Sequence, residues 1–338
     1  MWLVRPVEAG DLQGVLSISG EQGARLSSTL PKQEEAVAAK IEHSIRSFAG
    51  KLRGGESARY LFVLENTDTG AIHGAAGIDA KAGNGQPFYN YRRDALIHAS
   101  HELGVSRRVE VLYPSHALTD MTQLCAFAID PALKGKAPFE LLARARLLFV
   151  AENRERFSSR MVVEIQGVQT ADGRVPFWDS LGRHFFNMDF DTADKHSGLL
   201  SKTFIAELMP PNPIYVTMLT AAAQEALGRP HELSVPSFEL LQQEGFQPGC
   251  YMDIFDAGPV LEARTDSLRT VVTSHRSVLH AAHGEDGETC LISAGQDGDF
   301  RCTLTTLGET LKNEVKVPVK TWQALARSAG DEVRIAPL

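Results

Sequence analysis

The passage from residue 122 to about residue 157 constrains this chain more than any other. Thr122 to Asp130 reads Thr-Gln-Leu-Cys-Ala-Phe-Ala-Ile-Asp, a buried-strand run that Pro131 stops, because proline cannot donate to a sheet ladder. The loop Lys134-Gly135-Lys136-Ala137-Pro138 comes next. Phe139, Leu142, Phe149 and Val150 then recur at helical spacing as far as about Phe157. Pro138 suits the first turn of that helix, where a missing N–H would be unpaired anyway. A buried strand that passes through a glycine loop into a long helix demands a fold mixing both elements. It also sets backbone N–H groups and two lysines at a helix N-terminus, an arrangement that favours phosphate.

The flanking segments extend the pattern. Leu3 to Val7 is a short strand, and Leu12, Val15, Leu16 and Ile18 mark a helix after it. Val37, Ile41, Ile45 and Phe48 predict a second helix over Lys32 to Phe48. Arg59–Glu65 and Gly70–Ile78 are strands around an Asn/Asp/Gly-rich gap, which reads as a hairpin. Residues 79 to 117, rich in Gly, Asn, Tyr, Arg and His, read as a weakly patterned insertion against the sheet. Met161–Ile165 is another strand, and Phe177–Phe186 reads as a short helix running into an aromatic strand. Tyr215–Leu227 is helical. Pro236–Phe246 repeats the helix, glycine and aromatic format before a strand over Tyr251–Asp256. After residue 262, short β-rich runs (Arg269–Val272, Cys290–Ile292, Phe300–Leu304, Glu314–Val319, Glu332–Ile335) alternate with turns. The expected division is 1–200, a partial second half over 201–262, and a β-rich module over 263–338.

Composition narrows the partners. With 338 residues, 34 Lys and Arg against 42 Asp and Glu, and a net charge of −8, the chain has no general basic surface for a nucleic acid. Any phosphate site must be local. No apolar run approaches the ~20 residues of a membrane span, and Arg5, Glu8 and Asp11 break up any signal-peptide apolar region. Cys125, Cys250, Cys290 and Cys302 show neither metal-type pair spacing nor a disulfide framework. A cytoplasmic protein with no metal and no tightly bound cofactor is expected.

The order of strand, two helices, strands, buried strand, glycine loop, helix, strand and helix resembles the acyl-CoA-dependent N-acyltransferase (GNAT) fold, an α+β class with a mixed sheet flanked by helices. In that fold the central strand splays from its neighbour and pairs with the pantetheine arm, while the loop after it holds the pyrophosphate. Here the strand would be Gln123–Ile129 and the cradle Lys134, Gly135, Lys136 and Ala137. The loop departs from the common Arg/Gln-x-x-Gly-x-Gly/Ala pattern at Ala132 and Pro138.

Longer runs carry a closer resemblance, to the arginine N-succinyltransferase family. They include Leu3–Val7, Phe62–Glu65, Gln86–Arg92, Leu124-Cys125 with Asp130-Pro131, Pro176–Gly182, Phe185–Phe190, Lys202–Pro210, Pro213–Val216, Glu244–Phe246 and Asp253–Pro259. The resemblance implies transfer of the succinyl group of succinyl-CoA to the α-amine of L-arginine in arginine degradation, by direct attack in a ternary complex. It implies that Leu124 contacts succinyl-CoA and that His231 is the proton donor. It also implies a homo-oligomer, or a hetero-oligomer with a paralogous subunit. The chain departs from the family around residues 107 to 120 and at the Lys134–Pro138 loop. Two alternatives stand beside this reading: acylation of another amine such as ornithine, or a non-catalytic regulatory or scaffold subunit.

The chemistry sets further expectations. Direct attack needs no nucleophilic cysteine, so Cys125, flanked by Leu124 and Phe127, reads as a core thiol. A guanidinium calls for carboxylates, for which Glu164 and Asp120 are placed near the central strand. Arg92 or Arg93 suits a carboxylate of the substrate. An imidazole beyond a helix end, such as His231, exchanges protons near neutrality.

Overall fold

A computed structural model describes residues 1–21, 30–199, 203–281, 287–307 and 314–338. Strand β1 (Trp2–Pro6) turns into helix α1 (Leu12–Glu21) through a corner that Asp11 holds. The Asp11 carboxylate accepts the Glu8 N–H at 2.7 Å and both terminal nitrogens of Arg5, at 2.8 and 2.9 Å. Helix α2 (Glu34–Phe48) buries Val37, Ile41 and Phe48, as its spacing predicts.

Strands β2 (Arg59–Asn66) and β3 (Ala71–Asp79) form the expected hairpin. Its turn is closed by Gly70 N–H donating to Asn66 O at 2.8 Å, with Gly70 at φ +70°, which a side chain would resist. Residues 79–117, expected as a weakly patterned insertion against the sheet, instead belong to the sheet. They supply β4 (Asn90–Ser100) and β5 (Val105–Ser115), two eleven-residue strands paired along their whole length. Their outer halves are exposed on both faces, so no apolar alternation marks them in sequence.

Strand β6 (Thr122–Ile129), helix α3 (Ala137–Glu152) and strand β7 (Arg160–Glu164) follow where expected. Beyond them, Arg183–Phe186 is helix α4, not an aromatic strand, and Asn187 in the left-handed region ends it. Helices α5 (Phe190–Leu199) and α6 (Thr203–Leu208) precede the short strand β8 (Ile214–Tyr215); Lys202 lies outside the described residues. The helical reading of Tyr215–Leu227 contracts to α7 (Ala221–Ala226), which Thr220 caps through its hydroxyl. Helix α8 (Val235–Glu244) ends at Gly245, φ +106°, and leads into β9 (Gln247–Asp253) and β10 (Pro259–Arg264).

Arg269–Thr273 is helix α9 and not a strand. Buried Glu244 takes both the N–H and the hydroxyl of Thr270 at 2.9 Å, a tertiary anchor that overrides the β-branched composition. Strands β11 (His275–Ala281), β12 (Glu288–Ala294), β13 (Arg301–Leu307) and β14 (Glu314–Val317), helix α10 (Val319–Leu325) and strand β15 (Glu332–Pro337) complete the described chain.

One mixed sheet runs through all fifteen strands, in the order β14-β11-β15-β12-β13-β1-β2-β3-β6-β7-β10-β9-β4-β5-β8. The C-terminal strands join the rest where β13 pairs antiparallel with β1. Helix α3 lies on one face, its Phe149 packing with Phe62, Leu64 and Leu124 of the sheet in one cluster; α1 and α2 cover the other over Leu61, Val63 and Ala75. No helix among the described residues is long and apolar enough to cross a membrane.

Candidate active site

The centre of the sheet is where its pairing fails. β6 and β7 run parallel, yet they match only at Thr122 with Met161 and Gln123 with Val162; beyond Gln123 the two strands part. On its other edge, β6 stays paired with β3 as far as Ile129, across a bulge that sets Ala126 and Phe127 opposite Ala76. Ala126 sits at φ +51°, a conformation alanine adopts only when its surroundings impose it. The result is a wedge in the sheet with a bulged strand on one wall.

The chain leaves the wide end of β6 through the cradle loop. Asp130 turns it, accepting the Ala132 N–H at 2.9 Å and His73 Nδ1 at 3.2 Å. Gly135 takes φ +68°, and the loop bonds use the N–H groups of Leu133, Lys134 and Lys136. Those of Gly135 and Ala137 donate to no group among the described residues and lie at the N-terminus of α3. Lys136 is exposed, whereas Lys134 is half-buried and desolvation lowers its pKa. The predicted cradle residues are therefore together, with two open N–H donors and two ammonium groups around one helix end.

His231 stands at the mouth of the wedge. Past β7, Ile165 N–H donates to Pro259 O of the β10 edge at 3.0 Å. Successive residues of an extended chain turn their polar groups to opposite edges, so Gln166 O points to the side that β6 has left. There it accepts the His231 N–H at 2.7 Å, and Gly167 forms a bridge with Pro230. The imidazole Nδ1 accepts the Leu233 N–H at 3.0 Å, capping a single helical turn at Glu232–Ser234. In the neutral ring this fixes the hydrogen on Nε2.

A buried carboxylate that sequence reasoning missed supports this loop. Asp256, 5% exposed, accepts Gly167 N–H at 2.8 Å and Gly258 N–H at 2.7 Å, and Ala257 O accepts Gly228 N–H at 2.9 Å. Both strands of the Gly167–Pro230 bridge thus hang from residues 256–258. Burial, and then the neighbouring Asp253, push the Asp256 carboxyl well above the usual carboxylate range. The close-packed Asp-Ala-Gly run was the available signal, since a side chain on Gly167 or Gly258 would collide with this turn.

The other expected residues divide. Leu124 is 2% exposed and packs under α3, so its backbone and not its side chain lines the wedge. Glu164, the last residue of β7, accepts Asn90 Nδ2 at 2.9 Å and lies two residues before the carbonyl that holds His231. Asp120 is elsewhere, in an exposed pair with Lys81 at 2.9 Å. Arg92 is exposed on β4, paired with Asp94 at 3.2 Å and 5.6 Å from the Tyr113 ring centre, and Arg93 pairs with Glu110. The Cys125 thiol is pushed up to about 12, first by burial and then by Asp79, which suits a packing residue and not a nucleophile. Trp178, Phe177 and Phe186 are core, while Phe185 is exposed. No group of metal-ligating side chains is found among the described residues.

A mixed sheet that opens beside a bulged strand, followed at once by a glycine loop entering a helix, defines an enzyme of the acyl-CoA-dependent N-acyltransferase class with a GNAT-like fold. Within that class the chain belongs to the arginine N-succinyltransferase family. The model for the arginine N-succinyltransferase beta subunit matches residues 2–270, and the model for that subunit's C-terminal domain matches residues 274–337. The chain is 37% identical to the arginine N-succinyltransferase of Enterobacter sp. (strain 638) over 340 residues, covering 100% of this chain and 98% of that one. Against the same enzyme of Salmonella newport (strain SL254) it is 36% identical over 342 residues, with the same coverage. Among solved structures it is similar to arginine/ornithine succinyltransferase subunit AI from Pseudomonas aeruginosa, at TM-score 0.91 and 34% identity, covering 100% of this chain and 98% of that one.

Proposed function

We propose that this chain transfers the succinyl group of succinyl-CoA to the α-amine of L-arginine, giving N2-succinyl-L-arginine and CoA. The observation that carries the reading is the delivery of His231, by the Gln166 carbonyl, to the open edge of the β6/β7 wedge. The pantetheine arm pairs with β6 around Leu124, and its pyrophosphate meets Lys134, Gly135, Lys136 and Ala137. The neutral amine attacks the thioester carbonyl directly. As the tetrahedral adduct collapses, the C–S bond breaks, Nε2 of His231 gives its hydrogen to the departing sulfur, and the proton lost by the amine nitrogen passes to Nε2, so the ring ends neutral as it began. Glu164 offers a carboxylate for the cationic substrate; Asp120 and Arg92 serve recognition only if their surface pairs open.

The setting proposed is cytoplasmic, within arginine degradation. The protein acts as a homo-oligomer or with a paralogous subunit; that the solved relative is called a subunit supports this. Residues 263–338 form a module appended to the acyltransferase units at 1–200 and 201–262, supported by their separate cluster around Leu279, Ile292 and Val317.

The same relative's description as an arginine/ornithine enzyme favours ornithine as a second acceptor. The test is release of free thiol from succinyl-CoA by the purified protein with arginine, ornithine and lysine in turn. Arginine is expected to give the fastest release. A faster rate with another amine overturns the substrate assignment, and succinyl-CoA binding without release from any amine favours a non-catalytic subunit.

A further inference from the structure

Arg144 and Arg146 are both buried on α3, at 2% and 4% exposure, and only one of them is neutralised. Arg144 meets Glu244 at 2.7 Å and Glu140 at 2.5 Å. Arg146 has no carboxylate within ion-pair distance among the described residues. Its contacts are two carbonyls, Ala143 O and Gly77 O, each at 3.3 Å, and the face of Phe127, whose ring centre lies 5.1 Å from the guanidinium carbon. Taking an arginine out of water without a counter-charge costs several kcal/mol. Desolvation accordingly pushes this guanidinium down to about 10, still cationic at neutral pH.

Its position gives that charge a use. Gly77 is the β3 residue paired with Cys125 at the edge of the bulge, and Phe127 is one of the two bulged residues of β6. Arg146 therefore lies against the kink in the wall of the wedge, on the same face as Leu124, nine residues or roughly 14 Å along α3 from the cradle. Capping the Gly77 carbonyl needs a donor and no charge; a glutamine would serve. A cation kept dry beside the acyl-bearing strand is matched by an anion that arrives with the ligand.

We propose that Arg146 is the specificity-determining residue for the acyl donor, binding the free carboxylate of a dicarboxylic acyl thioester in a two-pronged ion pair. The proposal rests on the reading of succinyl-CoA as cosubstrate and adds the group that distinguishes it from a neutral acyl-CoA. A guanidinium still has unused N–H donors after two carbonyl contacts, enough for a carboxylate fork.

The test compares succinyl-CoA with acetyl-CoA in the wild type, Arg146→Gln and Arg146→Lys. Thermal shift and calorimetric affinity are measured with each thioester, and thiol release is measured with arginine. The expected result is that Arg146→Gln weakens succinyl-CoA by about 10- to 100-fold while acetyl-CoA and free CoA change little. Arg146→Lys, which keeps the charge but not the fork, is expected to recover part of the preference. Comparing two ligands on one variant separates recognition from damage to the fold. Equal weakening of both thioesters, or an unchanged preference in Arg146→Gln, overturns the proposal. If the wild type itself fails to bind succinyl-CoA, the proposed function fails and not merely this assignment.

Discussion

The imidazole of His231 accepts the backbone N–H of Leu233 through Nδ1 at 3.0 Å, which in the neutral ring puts the hydrogen on Nε2. His231→Ala is expected to lower turnover by about 10²- to 10⁴-fold, the usual worth of a positioned acid or base. Succinyl-CoA affinity, measured by calorimetry, should stay within twofold. His231→Gln keeps an N–H donor at the reach of Nε2 and should retain more turnover than His231→Ala. Undiminished turnover in His231→Ala removes this residue from the mechanism.

Asp256 supports the His231 loop from behind. Its two oxygens each hold one backbone N–H, so Asp256→Asn sets an amide donor against either Gly167 or Gly258, and Asp256→Ala frees both. Loosening the Gly167–Pro230 bridge displaces His231, and a shift of about 1 Å is worth roughly 100-fold in rate. Both variants should lose kcat more than they raise KM for succinyl-CoA, with Asp256→Ala the worse. A rise in KM alone would place Asp256 in ligand binding instead.

His43 sets a pH limit on the fold. Its Nε2 meets Ser57 O at 2.9 Å, and burial, with Arg59 adding to it, lowers the pKa below that of an ordinary imidazole. The unfolded chain takes up this proton first as pH falls through about 6.5, so stability declines from there downward and is fully present above it. Urea unfolding at pH 7.5, 6.5 and 5.5 should show a smaller decline for His43→Gln than for the wild type. Identical slopes would assign the pH dependence to other groups.

The four cysteines should separate by exposure. Cys250 is exposed, while burial pushes the thiols of Cys125 and Cys290 up to about 12 and that of Cys302 higher still. Peptide mass analysis after iodoacetamide treatment at pH 8 is expected to find Cys250 modified well before the others. Cys125→Ser should keep turnover within a few-fold; abolished turnover with intact folding would return Cys125 to the site.

The passage from Thr122 to Glu152 was legible because each signal in it is local: an apolar run, a proline stop, a glycine turn and a helical stripe. Arg269–Thr273 was not, because its helix depends on Glu244, a partner from a distant segment. The β4/β5 ribbon escaped for the opposite reason, since strands exposed on both faces have no hydrophobic period to read. The site shows the same division. Gly135 and the lysines announce a cradle in sequence, and family resemblance points to His231. The pairing of Gly167 with Pro230, and the Asp256 turn that supports it, exist only once β7 and β10 lie side by side.

The most direct measurement is the structure of the product. The protein is incubated with succinyl-CoA and L-arginine, and the amino-acid product is examined by tandem mass spectrometry and NMR. The expected product carries one succinyl group in amide linkage to the α-nitrogen, formed in step with free CoA. Succinyl-CoA consumed without an arginine adduct, or an adduct on the guanidinium, would contradict it.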